Sequence, residues 1–177
     1  VLTEGVDEGG ADAARFTYLL LSVDSPQTFD LDLVASQVNE NPVFYVQYAH
    51  ARIPSIVRRA DEAGSRRGSP VDANLSLLVH PRELEILRAL HELPDIVERA
   101  CRERAPHQVT TWVREMASSF HGFYHDCRVL GDGIDPATTT ARLWLVEGAR
   151  IGLAVALDLL GVSAPTEMWR DPVDGED

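Results

Sequence analysis

His121 and His125 are the side chains whose types and spacing come closest to a metal site. A spacing of four places both imidazoles on one face of a helix, which is the arrangement that HExxH enzymes use to bind zinc. Gly122 stands where that motif has its glutamate, and the pattern implies no obvious third ligand. The spacing therefore favours histidines of the surface or the core, and no metal is expected.

A thiol nucleophile with a histidine base is the second chemistry to consider, because the chain contains Cys101, Cys127 and His50. Nothing in their spacing brings a cysteine and this histidine together. Two cysteines are also too few for a disulfide framework or a four-ligand zinc site. Both cysteines are expected to be small buried hydrophobic residues.

Paired carboxylates and a glycine-containing stretch are the remaining places where catalysis could occur. Asp30 and Asp32 alternate with apolar residues, and solvated charges at a helix start explain them better than acid–base catalysis. The stretch GDGID at 131–135 matches neither the GxxxxGK[ST] nor the GxGxxG phosphate-binding pattern, so it is predicted to be a turn. With no nucleophile, metal site or phosphate loop to point to, the chain is better explained as a binding module.

The composition indicates an ordinary soluble fold. Of the 177 residues, 45% are hydrophobic and 25% are charged, which is close to the average for globular proteins. The longest apolar stretch, 151–160, is about half the ~20 residues that a transmembrane helix requires, and it contains Asp158. No secretory signal is visible, so a cytoplasmic location is expected.

The net charge of −12 argues against a general nucleic-acid binder, because Lys and Arg supply most of the affinity for phosphates. Any RNA binding must therefore be local. All 16 basic residues are arginine and none is lysine. That bias suits planar, multi-donor binding, but biased genome composition explains it better.

The elements that would position these side chains are helices. Good helix formers with an apolar face predict a first helix near residues 10–22. From Pro42 to Gly64, apolar and aromatic residues recur at spacings of three and four, with Pro54 expected to kink this helix rather than end it. The alternating stretch at residues 29–40 could suggest a strand, but the helical pattern that follows favours a helix.

The second half of the chain is also helical in pattern. After a polar loop at 65–74, which is the segment most expected to be disordered, helical spacing runs from Pro81 to Arg104 with a predicted break at Pro94. Further helices are predicted from Pro106 to about Arg128, and from Asp135 and Pro136 to Leu160. The predicted fold class is all-α.

Four segments in order resemble one family. Residues 39–53, NENPVFYVQYAHARI, resemble the NPVYYVQYAHARI signature of bacterial arginyl-tRNA synthetases, with Phe44 where tyrosine is common. GADAARF followed by FDLDL resembles the junction after the catalytic domain of that family. The segments at 118–130 and 141–168 resemble the last two helices and the near-terminal methionine motif.

The resemblance implies a helical bundle of the class Ia anticodon-binding (DALR) type. Residues 1–38 would then be junction helices in the region of the tRNA stem, residues 39–168 the anticodon-binding bundle, and residues 169–177 an acidic flexible tail. Full-length members use ATP, with Mg, to attach arginine to its tRNA. The HIGH-like and KMSK-like motifs of that catalysis are absent from this sequence, so the chain is expected to need no cofactor and to be inactive alone.

The same resemblance implies partners and site residues. The expected partners are arginine tRNA and the catalytic domain of the same synthetase, with no DNA, no membrane and a monomeric state. Tyr45, Tyr48 and Tyr124 match family positions that contact the anticodon loop, and Met168 matches a methionine that can pack against a base. Side chains expected to support the same surface are Gln47, His50 and Arg52, with the basic residues Arg58, Arg59, Arg66 and Arg67 as possible backbone contacts.

Two alternatives stay open at this point. Each aromatic residue could be a core residue, and the four arginines could belong to a solvated helix end and loop. The chain could also be a diverged stand-alone domain that acts as a protein-interaction or adaptor module through its acidic surface.

Overall fold

The computed structural model describes residues 8–26, 30, 32–33 and 36–168. Within these residues the chain forms helices and no β-strand, as the all-α prediction requires. The helices are α1 (Glu8–Tyr18), α2 (Pro42–Glu62), α3 (Pro81–Glu103), α4 (His107–Asp126) and α5 (Pro136–Leu159). Two 3-10 turns, Pro70–Asp72 and Leu75–Leu77, interrupt the connection between α2 and α3.

Proline and a capping side chain begin three of the helices. The Asn41 side chain accepts a hydrogen bond from the Val43 N–H (3.2 Å) ahead of α2, and Asp135 accepts one from the Ala137 N–H (2.9 Å) ahead of α5. In both helices the first residue is proline, which has no N–H to leave unpaired. At the start of α3, His80 and Glu83 form a reciprocal capping box. The predicted starts of these helices are confirmed.

The core lies where α4 and α5 pack against each other and against α2 and α3. Its largest fully buried side chains include Trp112, Phe120 and Phe123 of α4 and Leu153 of α5. A close approach joins α5 to α3, because a Cβ placed on Gly152 would lie only 2.7 Å from Leu90 Cδ2. The buried carboxylate of Glu83 in α3 pairs with Arg142 Nε of α5 at 2.6 Å, so the two helices are also joined by charge.

The predicted break at Pro94 is wrong, because α3 runs without interruption through it. An interior proline removes one backbone hydrogen bond, and in α3 the turn before it is held by other contacts. The Trp112 indole N–H donates to the Ala89 carbonyl at 2.8 Å, and Leu90 is packed against Gly152. Contacts with α4 and α5 thus hold this turn of α3 in place. At Pro54 the helix α2 continues, as predicted.

Three smaller expectations need correction. The first helix ends at Tyr18 rather than near residue 22. Cys101 is exposed on α3, whereas Cys127 is buried as expected. The 65–74 loop has fixed contacts, because the Trp144 indole N–H donates to the Arg67 carbonyl at 3.1 Å. The predicted tail at 169–177 lies outside the described residues, and the proposed division at residues 38 and 39 stays a prediction.

Within the described residues, no helix combines the length and the apolar character that crossing a membrane requires.

Candidate nucleic-acid interface

Helices α2 and α4 bring the three predicted tyrosines to one surface. Tyr45 and Tyr48 are one turn apart on α2, and Tyr124 lies near the end of α4. All three are half-buried, so each ring has one part in the packing and one part at the surface. We call this surface the aromatic face and define it by Tyr45, Tyr48, Tyr124 and the two side chains that join them, Arg52 and His121.

Arg52 connects the two helices across the aromatic face. Its guanidinium carbon lies 4.1 Å from the centre of the Tyr124 ring and 5.1 Å from the centre of the Tyr48 ring. Both distances are within the ~6 Å range of cation–π attraction. In the part of the chain that the structure describes, Arg52 has no carboxylate partner. Its guanidinium therefore packs on the two rings, and no described carboxylate takes up its N–H donors.

His121 packs among the tyrosines and was considered from the sequence only as a metal ligand. Its ring centre lies 4.6 Å from that of Tyr45 and 6.1 Å from that of Tyr48, and Nε2 lies 3.4 Å from the Tyr45 carbonyl oxygen. Burial lowers the pKa of His121, although the contact with that carbonyl opposes the shift. His121 is thus a neutral spacer between tyrosines at neutral pH. Its spacing of three from Tyr124 was the signal that could have revealed it.

Gln47 and His50 face the interior rather than the aromatic face. The Gln47 side-chain amide donates to Asp12 Oδ2 (3.0 Å) in α1 and to the Ser163 carbonyl (3.0 Å) beyond α5. His50 is 2% exposed, and its Nδ1 lies 2.8 Å from the Pro165 carbonyl. Both positions favour an indirect role, in which these side chains hold the segment after α5 against α2.

Met168 lies at the end of that segment and is half-buried. The anchors at Ser163 and Pro165 are five and three residues before it, so its backbone is held near α2. Gln47 and His50, although they face the interior, therefore hold in place the segment that ends at Met168. Whether Met168 touches RNA stays a prediction.

The four arginines considered either as RNA-backbone contacts or as a solvated helix end and loop divide into two kinds. Arg58, Arg59 and Arg66 are exposed at the end of α2 and in the loop that follows. Arg67 instead lies 4.4 Å over the Trp144 ring, with its Nη1 2.9 Å from Glu147 Oε2. Arg67 is therefore part of the contact between this loop and α5.

The histidines considered for metal binding do not form a metal site in the described residues. His125 points into solvent with its side chain 88% exposed, and Nδ1 lies 2.7 Å from Asp126 Oδ1. Among the described residues, no group of three His, Cys, Asp or Glu side chains is placed to hold a metal.

Cys127 Sγ does lie 3.3 Å from His80 Nδ1, a pairing that the spacing did not indicate. Burial raises the pKa of that thiol, which keeps it protonated and unreactive.

Comparison with known proteins places this geometry in a family. The sequence model of the family described as DALR anticodon binding domain matches residues 46–168 of this chain. Arginine–tRNA ligase from Frankia alni is 49% identical over 92% of this chain, and that from Moorella thermoacetica is 48% identical over 94%. In both cases the match covers 30% of the relative, so this chain spans about a third of the length of these ligases.

A solved structure agrees with the sequence relatives. The arginyl-tRNA synthetase of Thermus thermophilus superposes with a TM-score of 0.71 at 30% identity, over 89% of this chain and 26% of that protein. The helical bundle, the matched residues and the sequence identity lead to one assignment. This chain belongs to the DALR anticodon-binding domain family, in the form found in arginine–tRNA ligases.

Proposed function

We propose that this chain binds the anticodon stem and loop of arginine tRNA and supports the ATP-dependent arginylation of that tRNA by an arginine–tRNA ligase. The observation that carries the proposal is the aromatic face, where Arg52 lies over Tyr48 and Tyr124 at cation–π distance. Proteins recognise RNA loops by stacking unpaired bases on aromatic and guanidinium planes. The aromatic face offers both kinds of plane side by side.

The charge of the chain decides how binding must work. At a net charge of −12, long-range electrostatic repulsion opposes contact with RNA, so affinity has to come from stacking and from a few placed arginines. Stacking contributes roughly 1–3 kcal/mol for each base. The exposed parts of the three tyrosine rings supply the stacking surfaces that this proposal requires.

The chemistry of arginylation belongs, in this proposal, to the regions of the relatives that this chain does not match. ATP and Mg would bind there, and this chain would take no cofactor. The other proposed partner is accordingly the catalytic domain of the same ligase. A cytoplasmic location, a monomeric state and the absence of DNA or membrane partners complete the proposal.

The test is the affinity of the 177-residue chain for transcribed arginine tRNA, measured by fluorescence anisotropy over a range of salt concentrations. Tyr48→Ala should weaken binding by roughly tenfold or more, because it removes one stacking surface. Tyr48→Phe is the matched control and should bind as the wild type does, since it keeps the ring. Circular dichroism confirms that both variants fold.

Equal binding by wild type and Tyr48→Ala at low salt would overturn the proposal. In that case the acidic surface becomes the leading feature, and the adaptor role with a protein partner is the function to pursue.

A further inference from the structure

A cleft of about 420 Å³ opens beside the aromatic face, between the start of α2 and the exposed side of α4. Tyr45 forms one wall, Glu40 lies at the α2 end, and Thr111, Arg114 and Glu115 line the α4 side. The volume is within the ~300–1,000 Å³ that is usual for small-ligand sites. The cleft is shallow and open to solvent, as expected for a surface that a flexible RNA loop could reach.

The cleft and the aromatic face form one continuous track along α4. Thr111, Arg114 and Ser118 line the cleft at spacings of three and four, so they lie on one side of the helix. His121 follows Ser118 after three more residues and begins the aromatic face. Tyr45 belongs to both, because its ring contacts His121 and the residue also lines the cleft.

The charged side chains of the cleft are free of internal ion pairs in the described part of the chain. Glu40, Arg114 and Glu115 are all exposed, and none of them forms an ion pair within the residues that the structure describes. Two carboxylates beside one guanidinium would repel a bare phosphate cluster. The same three groups suit a nucleotide whose base carries an amino group, because carboxylates accept hydrogen bonds from base amino groups and arginine binds phosphate.

We propose that this cleft is a subsite for one further nucleotide of the RNA loop, adjacent to the nucleotides on the aromatic face. The base lies against the Tyr45 ring, its amino group donates to Glu40 or Glu115, and its phosphate is bound by Arg114. The inference rests on the proposed function, since it extends the RNA-binding surface by one nucleotide along α4.

The first experiment measures binding of the 177-residue chain to the anticodon stem-loop of arginine tRNA. Arg114→Ala should weaken binding roughly tenfold and reduce the salt dependence by about one phosphate contact. Arg88→Ala is the matched control, because Arg88 is an exposed arginine on α3 that does not line the cleft. It should bind as the wild type does.

The second experiment tells a base in the cleft from a phosphate contact alone. A series of stem-loops, each with one abasic loop nucleotide, is measured against wild type and against Thr111→Trp, which fills the cleft at the end of α4 far from His121. One abasic position should weaken binding to wild type roughly tenfold and leave binding to Thr111→Trp unchanged, because that base has already lost its site. Thermal unfolding checks that the tryptophan variant folds.

Either of two outcomes overturns the inference. One is equal binding by Arg114→Ala and Arg88→Ala, and the other is an abasic penalty that persists at every position in Thr111→Trp. If Tyr48→Ala still weakens binding in the same assay, the proposed function stands and only the cleft is rejected. If wild type binds no stem-loop at low salt, the proposed function fails first.

Discussion

Arg52 and Arg67 both lie over aromatic rings, yet they differ in what else holds them. Arg67 is 4.4 Å over Trp144, forms an ion pair with Glu147, and its own carbonyl accepts the Trp144 indole N–H. Arg52 lies over Tyr124 and Tyr48 and has no carboxylate partner among the residues described. The stacked guanidinium of Arg67 thus has a carboxylate partner, and we call the Arg67–Trp144–Glu147 group the closed contact. The guanidinium of Arg52 has none among the described residues, and we call the Arg52–Tyr48–Tyr124 group the open contact.

In the function that we propose, this difference separates a structural contact at Arg67 from a binding contact at Arg52. Glu147 forms ion pairs with both Arg67 and Arg150, so the Arg67 guanidinium has a carboxylate partner within the fold. An arginine balanced in this way gains little from a phosphate or a base. Arg52 has no such carboxylate partner in the described residues, as the proposed RNA contact requires. The lack of a carboxylate partner is therefore what marks Arg52, rather than Arg67, as the candidate ligand contact.

The largest expected effect is on the closed contact. Trp144→Ala should lower the free energy of unfolding by about 3 kcal/mol, because it removes a large ring from between the loop and α5 together with its hydrogen bond. Urea denaturation measures this loss. Under conditions in which Trp144→Ala is folded, its affinity for RNA should stay within twofold of that of the wild type. A strong loss of RNA affinity with unchanged stability would reverse the roles that we assign to the two contacts.

The next effect is on the open contact. Arg52→Ala should weaken binding of arginine tRNA about tenfold while changing the free energy of unfolding by about 1 kcal/mol or less, as expected for a surface cation–π contact. Arg67→Ala is the matched variant and should show the opposite pattern, with lower stability and unchanged affinity. Fluorescence anisotropy gives the RNA affinity of each variant, and urea denaturation gives its free energy of unfolding. Equal losses of affinity in the two variants would contradict the comparison.

The smallest effect is the pH dependence of the closed contact. Hydrogen bonds from Arg150, and then the charges of Arg150 and Arg67, lower the pKa of Glu147 below its usual 4.5, although partial burial opposes the shift. The stability from this carboxylate is thus fully present above about pH 4.5 and is lost as the pH falls through its lowered pKa. The stability gap between wild type and Glu147→Gln should narrow over that range in acid unfolding curves. A gap that is constant from pH 7 to pH 3 would show that the ion pair contributes nothing.

The helices could be predicted from the sequence because their signals are local. Asn41 with Pro42 and Asp135 with Pro136 are cap and first-turn pairs, and their hydrogen bonds involve residues two positions away. The break predicted at Pro94 was wrong because its compensation comes from Trp112 and Gly152, which belong to other helices. Local rules report the cost of a proline and say nothing of the contacts that offset it.

The candidate site was predictable only in part, for the same reason. Tyr45, Tyr48, Tyr124 and Arg52 do meet at one surface, as the resemblance implied. Gln47 lies on the same helix, but α1 and the segment after α5 cover its side. Which side of α2 is covered depends on contacts between residues far apart in sequence, so spacing alone could not separate Gln47 from Tyr48.

The bonds that Gln47 and Asp12 make with Ser163 have a consequence for the order of folding. The Asp12–Ser163 contact spans 151 residues, whereas the contact of His121 with Tyr45 spans 76. Doubling a loop adds about 0.6 kcal/mol to the entropy cost of closing it. We therefore expect the aromatic face to assemble as soon as α2 and α4 pack, with the segment that carries Met168 joining last.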